Sequence, residues 1–451
     1  MKTIAQISAE LQGYDPQALT CPDVNLFLSK LVTPVTGTDS VHLFDALGRV
    51  LAQDIISSIS VPPHDNSAMD GYAFDGAQLS AQVQLTLKVV GTAMAGKAWQ
   101  GTVAAGECVK IMTGAIMPLG LDTVVPQELA RSVGSMADPQ ITIPAGLLQA
   151  GDNRRKLGED LLQGRAALQK GELLTPAALG LLASLGVEKV TVWRRLRVAY
   201  FSTGDEILSL GEAPREGAVF DSNRYTIFGL LKRLGCDVID MGVVRDDPAL
   251  LEAAFTRAAA EADAVITSGG VSVGEADHTK TMMKKLGDVA FWKIAMRPGR
   301  PMAVGRISGI KFASSPDEIC VDSYNVDSIK STPRQAILFG LPGNPVAVMV
   351  TFLAFVRPAL LQMMGCNAGQ PPLLKACSVE AIRKKPGRTE YQRGTVSTGA
   401  DGALVVRTTG NQGSGVLSSM VQANGLIVLH HQQSNVGVGD EVDVMMFDGV
   451  I

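Results

Sequence analysis

The stretch between residues 196 and 267 constrains the fold more than any other part of this chain. Residues 196–201 form a short, mostly apolar run that reads as a strand and ends in Ser202-Thr203-Gly204-Asp205-Glu206. Asp221-Ser222-Asn223 then supplies helix-start chemistry. Ile227, Leu230, Leu231 and Leu234 fall on one helical face, and Gly235 provides the stop. A strand at 237–244, a helix at 248–262 and a strand at 264–267 follow. A β-α-β-α-β order of this kind demands a mainly parallel sheet covered by helices. In such a sheet, ligands sit in the crevice outside the carboxyl ends of the strands.

The rest of the chain reads differently. At 451 residues it exceeds what one core supports. A small β-rich domain is expected from 61 to about 143, a helix-bearing stretch over 151–186, the α/β series from 196 and, after Cys366, a compact C-terminal β-barrel or sandwich. The run 45–55 has the spacing of a short helix. Short β-prone runs such as 85–90 and 108–112 are broken by glycine. Thr175 and Pro176 resemble the N-cap and first residue of a helix over 175–185. Residues 346–356 are apolar enough for a buried helix. Arg357 and Pro358 are expected to end it short of a bilayer span. The polar run 314–335 is expected to be a surface loop or hairpin extension.

Composition narrows the functional classes. A net charge of −4 excludes the broad basic footprint of a nucleic-acid binder. Cys21, Cys108, Cys236, Cys320, Cys366 and Cys377 show no metal-finger spacing and read as reduced structural thiols. The five histidines show no ligand motif, which disfavours a zinc enzyme or a His-based hydrolase. The N-terminus lacks the pattern of a signal peptide, so a cytoplasmic protein is expected.

The strand ends carry the chemistry. Thr267-Ser268-Gly269-Gly270-Val271-Ser272 brings glycine backbone and hydroxyl donors to a strand terminus, the material of an anion cradle; the plain alternative is a tight loop. Leu341-Pro342-Gly343-Asn344-Pro345 precedes a helix, with Asn344 as N-cap and Pro345 as first residue, so free N–H groups would face the same crevice; alone, it is only a rigid cap. Lys293, Arg297 and Arg300 cluster beside a Pro-Gly turn, a grouping suited to oxyanions, though basic turns are commonly just solvated. Carboxylates near an anion site (Asp70, Asp205, Glu206, Asp246, Asp247 and Asp277) make sense if Mg²⁺ intervenes. Asp247, directly before Pro248, is better read as a helix cap.

Ten collinear motifs now bear on the family. They include VPPHDNSAMDGYAF at 61–74, IMTGA at 111–115, FSTGDEI at 201–207, TSGGVSVGEADHTK at 267–280, RPGRP at 297–301, LPGNPVAV at 341–348 and GRTEYQRG at 387–394. Together they resemble the molybdopterin molybdenumtransferases of the MoeA type, also seen as the E domain of gephyrin, over essentially the whole chain. The resemblance implies an elongated homodimer in which 1–60 and 147–190 form a discontinuous linker domain, 61–146 a β-rich domain, 191–365 the molybdopterin-binding α/β domain and 366–451 a C-terminal β-barrel, with the cleft between the α/β domain and parts of the partner subunit. It implies catalytic roles for Asp70, Asp160, Glu206, Asp246, Asp277, Lys293 and Arg297, with Glu206 and Asp246 as Mg²⁺ ligands. It further implies substrate contacts from Thr113, Ser202, Thr203, Gly204, Ser268, Gly269, Gly270, Ser272, Arg300, Pro342, Gly343, Asn344, Pro345, Arg388 and Ser414. Molybdate and molybdopterin-AMP are the implied substrates, and the molybdopterin adenylyltransferase a further partner. Two other readings stay open: an adenylyltransferase sharing the sheet domain, and a non-enzymatic scaffold like gephyrin's.

Overall fold

The structure, a computed structural model, describes residues 2–270, 278–309 and 335–447. Its centre is a six-stranded sheet in the order 237–244, 197–203, 264–268, 335–341, 301–308, 287–293. The first four strands are mutually parallel, and the last two run antiparallel to their neighbours. Strand Arg197–Thr203 is buried on both faces because alternate side chains meet different layers. Val198 and Tyr200 pack with Ile227, Leu230 and Leu231 of helix Ser222–Arg233. Ala199 and Phe201 pack with Leu251, Phe255 and Ala258 of helix Pro248–Glu261. Burying such side chains contributes about 1.5–3 kcal/mol each. Helix caps are those the sequence predicts: the Asp221 carboxylate accepts from Arg224 N, and Asp247 from Ala249 N and Leu250 N.

The apolar helix runs further than its sequence suggests. It spans Pro345–Met363, through Arg357 and Pro358, rather than ending before them. Residues Phe352–Val356 wind as a π-helix. Pro358 has no N–H to return to the preceding turn, and a widened turn just ahead of it absorbs that break. By length and composition this helix passes for a membrane span, but 83% of its apolar window is buried inside the protein, as for a core helix.

The expected helix over 45–55 is not present. Leu43–Asp45 is a single 3₁₀ turn, Gly48 takes φ +71°, and Val50 and Leu51 form isolated bridges to Leu173 and Val192. A left-handed glycine breaks the helical turn, and bridge partners take the backbone groups instead. Ala46, Leu51 and Ile55 share one apolar cluster with Leu174, Ala178, Leu182, Val190 and Val192, so two distant segments of chain build one discontinuous module. Helices Ile4–Ala9 and Cys21–Leu31 pack instead on the α/β core, where Phe27 meets Trp292 edge-on at 4.9 Å.

Two β modules complete the molecule. One is a six-stranded sheet in the order 123–126, 71–74, 107–111, 85–93, 138–143, 131–135. The other is a C-terminal barrel of strands Leu374–Ser378, Thr389–Thr398, Leu404–Thr408, Gly425–Leu429 and Glu441–Met446, closed by pairing of 389–398 with 425–429. Closure leaves no free edge in that module. The insertion read at 314–335 lies outside the described residues except for Gln335, which starts a strand and pairs opposite Ser308.

Candidate active site

Register places the strand ends side by side. Thr203 lies opposite Val244, Ser202 opposite Ser268, and Ser268 opposite Leu341. The turns that follow, 204–206, 245–246, 269–270 and 342–345, therefore emerge together along one edge of the sheet. The chain's path makes this edge a switch point: strand 197–203 is joined through one helix to its neighbour 237–244, and the next crossover lands on its other side, at 264–268.

A cleft of about 900 Å³ opens there. Of the residues singled out from the sequence, Ser202, Thr203, Glu206, Ser268, Gly269, Gly270, Arg297, Arg300, Pro342, Gly343, Asn344, Pro345, Arg388 and Ser414 line it. Gly204 sits next to the lining, its N–H donating to Val244 O at 3.4 Å. Ser272 and Asp277 lie outside the described residues.

Glycine at 269 is dictated by geometry. Its φ is +90°, and a Cβ there would stand 2.4 Å from Thr203 O. The backbone is thus as close to the neighbouring strand end as a chain without a side chain allows. Beneath it, Tyr200, Ser202 and Ser268 form a buried hydroxyl cluster, with Tyr200 Oη 2.9 Å from Ser202 Oγ and 2.6 Å from Ser268 Oγ. Burial pushes the Tyr200 phenol above its ordinary range, so at neutral pH the cluster is uncharged.

At the helix start, Asn344 is the N-cap but makes no side-chain cap bond. One N–H expected to be free is taken: Val346 N donates to Ser414 O at 3.1 Å, tying a barrel loop to the helix N-terminus. The barrel's other contribution is Arg388, whose Nε donates to Glu390 Oε1 at 2.8 Å. Strand Met296–Arg297 pairs with Thr389–Thr398, setting Arg297 opposite Glu390. Three arginines, 297, 300 and 388, thus face one cleft with Glu206 and Asp221 as its acids, a field suited to an anion of several charges.

Other expected residues stand apart from this lining. Lys293 ends a sheet strand, half-buried, its N–H donating to Pro16 O. Asp246 follows strand 237–244, its N–H donating to Asp205 Oδ1 at 3.3 Å and its Oδ1 buried without a hydrogen-bond partner. Asp70 and Thr113 meet in the β-rich module: Thr113 N and Oγ1 donate to Asp70 Oδ1 at 2.6 and 2.7 Å. Those bonds, the backbone one first, hold the Asp70 carboxyl below its ordinary value. Asp160 is exposed beside Val61, whose carbonyl accepts its N–H.

The sequence reading missed cleft residues beyond its list. The pattern marks Asp221 and Asn223 only as helix-start chemistry, yet both line the cleft. Asn223 Nδ2 donates to Gly343 O at 2.7 Å, and Asn223 Oδ1 and Asp221 Oδ2 are buried without hydrogen-bond partners. Val219 and Phe220 supply an exposed apolar wall. The available signal was position: this run opens the first helix after strand Arg197–Thr203, and the N-terminus of such a crossover helix faces the crevice.

The fold and site define an α/β protein with an arginine-lined cleft at a topological switch point and a barrel as its second wall. Comparison with known proteins gives the family. Residues 22–186 match the family model "MoeA N-terminal region (domain I and II)", 199–362 the "Probable molybdopterin binding domain", and 375–447 the "MoeA C-terminal region (domain IV)". The molybdopterin molybdenumtransferase of Haemophilus influenzae is 40% identical over 417 residues, 92% of this chain and 95% of that one. That of a Nostoc species is 34% identical over 414 residues, 90% and 88% of the two chains. The crystal structure of the molybdopterin biosynthesis MoeA protein from Pyrococcus horikoshii superposes with TM-score 0.76 at 25% identity, covering 95% of this chain and all of that one. The chain belongs to the molybdopterin molybdenumtransferase family and is an enzyme of molybdenum cofactor biosynthesis.

Proposed function

We propose that this enzyme inserts molybdate into adenylylated molybdopterin, coupled to Mg²⁺-dependent cleavage of the phosphoanhydride, and releases AMP and the finished cofactor. The observation that carries this reading is the meeting of two glycine turns, one long helix start and three arginines in a single cleft. Backbone N–H groups at Gly270, Gly343 and Asn344 suit the phosphates, and the hydroxyls of Ser202, Thr203 and Ser268 add donors. Arg297, Arg300 and Arg388 suit the remaining oxyanion charge, and Lys293, four residues ahead of Arg297 in the chain, is assigned to guide molybdate. Val219 and Phe220 suit the flat, apolar faces of pterin or adenine. Positioning and charge neutralisation supply most of the rate.

Glu206 and Asp246 stand on turns that follow paired strands, and Asp246 Oδ1 is buried without a hydrogen-bond partner. A cation that takes one or two carboxylates together with substrate phosphate oxygens fits this donor set. Among the described residues no three His, Cys, Asp or Glu side chains gather to hold a metal, so substrate oxygens would complete the coordination. Bound Mg²⁺ would neutralise phosphate charge as the anhydride breaks.

Asp70, Thr113 and Asp160 are absent from the cleft lining of their own chain. We assign them to the partner's cleft in a homodimer, working in the cytoplasm beside the molybdopterin adenylyltransferase, with no role for nucleic acid or membrane. As domain bounds we keep 61–146, 147–190, 191–365 and 366–451, with 1–60 as the first linker segment whose leading helices lie on the α/β core. The test is purified protein with molybdopterin-AMP, molybdate and Mg²⁺. Molybdate-dependent AMP release supports the reading. Formation of the adenylate from ATP refutes it.

A further inference from the structure

Arg393 is the largest fully buried side chain described, at 0% exposure, in barrel strand Thr389–Thr398. Its guanidinium is spent almost wholly on one loop. Nη2 donates to Asn411 O at 3.1 Å and Gly413 O at 2.9 Å, and Nη1 to Gln412 O at 3.3 Å. Nε donates to Ser419 Oγ at 2.9 Å, just beyond the loop. The backbone adds two more ties: Arg393 N donates to Gln412 Oε1 at 2.8 Å, and Gln412 Nε2 to Arg393 O at 3.1 Å. Among the described residues no carboxylate forms an ion pair with this guanidinium.

A charge buried without a counterion is costly unless its donors are fully used. Here they are used on the carbonyls of three consecutive residues, which fixes the course of the loop. Gln412, Ser414 and Gly415 of the same loop line the cleft, and Ser414 O accepts Val346 N of the helix start. A continuous path therefore runs from the barrel interior, through the loop, to the N-terminus that faces the ligand.

We propose that Arg393 is a positioning residue: it holds the 411–415 loop as the barrel-side wall of the substrate cleft and docks that wall on the long helix. The proposal rests on the cleft being the site of the reaction above. Arg393 touches no reacting atom, so its effect is on binding more than on chemistry.

Arg393→Lys tests this. It keeps the charge, but a single nitrogen cannot span three carbonyls and Ser419. We expect KM for molybdopterin-AMP to rise about ten-fold with kcat within about two-fold of wild type. Amide exchange should quicken about ten-fold at Val346 and the loop, with Val428 and Val444 of the barrel strands unchanged. An unchanged KM, or faster exchange spread evenly over the barrel, overturns the proposal. Should Arg393→Lys fail to fold, Gln412→Ala removes two of the same ties from a half-buried loop site and is expected to free Val346 selectively. Wild-type exchange at Val346 in that variant overturns the proposal equally. If the wild-type enzyme itself fails to consume molybdopterin-AMP, the assigned reaction falls while the exchange comparison still judges the positioning role.

Discussion

Gly269→Ala offers a sharp test of the cradle because its consequences follow from measured geometry. The residue sits at φ +90°, a conformation that costs an L side chain about 1–2 kcal/mol. The added Cβ would meet Thr203 O at 2.4 Å and Thr203 Oγ1 at 3.1 Å, whereas ordinary contact begins at 3.4 Å. Thr203 is buried at a strand end and cannot retreat, so the glycine turn must move by about 1 Å in a close-packed interior. That shift strains the bond from Gly269 N to Leu341 O, 3.2 Å in the native protein, whose loss costs about 1 kcal/mol more. Together the stability loss is about 2–3 kcal/mol, small enough for a folded protein. Activity should suffer more: misplacing phosphate-facing N–H groups by about 1 Å costs about 100-fold in kcat/KM. The assay is molybdate-dependent AMP release at subsaturating substrate, paired with thermal unfolding. A variant with activity within about two-fold of wild type would refute the cradle.

Further perturbations probe other parts of the account. Mixing inactive Asp70→Asn and Gly269→Ala protomers should restore about a quarter of wild-type activity if each cleft draws on two subunits, and no recovery on mixing contradicts the shared cleft. The Asp70 carboxyl is held below its ordinary value of 3.8, so its stabilisation is present above that pH and is lost as the solution becomes more acidic. Thermal midpoints of wild type and Asp70→Asn should therefore differ at neutral pH and converge in acid; a gap that persists at the lowest pH contradicts the assigned bonds. Burial pushes the thiols of Cys108 and Cys236 up to about 12, whereas Cys377 is half-buried. In native protein a thiol reagent should modify Cys377 before Cys108 and Cys236, and rapid labelling of Cys108 would contradict the packing.

Much of the α/β domain was legible because its signals are local. Strand 237–244, the Asp221 and Asp247 caps and the glycine turns all rest on neighbouring residues, and the structure places each where the pattern puts it. Failures arose where distant chain decides. Val50 and Leu51 have helical spacing, but bridges to Leu173 and Val192, more than 100 residues away, claim their backbone. Pro358 reads as a stop, but packing on all sides keeps the helix going through a π segment. The site divides in the same way. Strand-end residues were found by topology, whereas Asn223 and Arg393 act through bonds to loops 120 and about 20 residues off.

The most direct test of the central claim is a crystal structure with AMP bound in the presence of Mg²⁺. The account predicts the phosphate within hydrogen-bond distance of the backbone N–H groups at Gly270, Gly343 or Asn344, facing Arg297, Arg300 and Arg388. A nucleotide found elsewhere on the molecule, with these turns untouched, would contradict it.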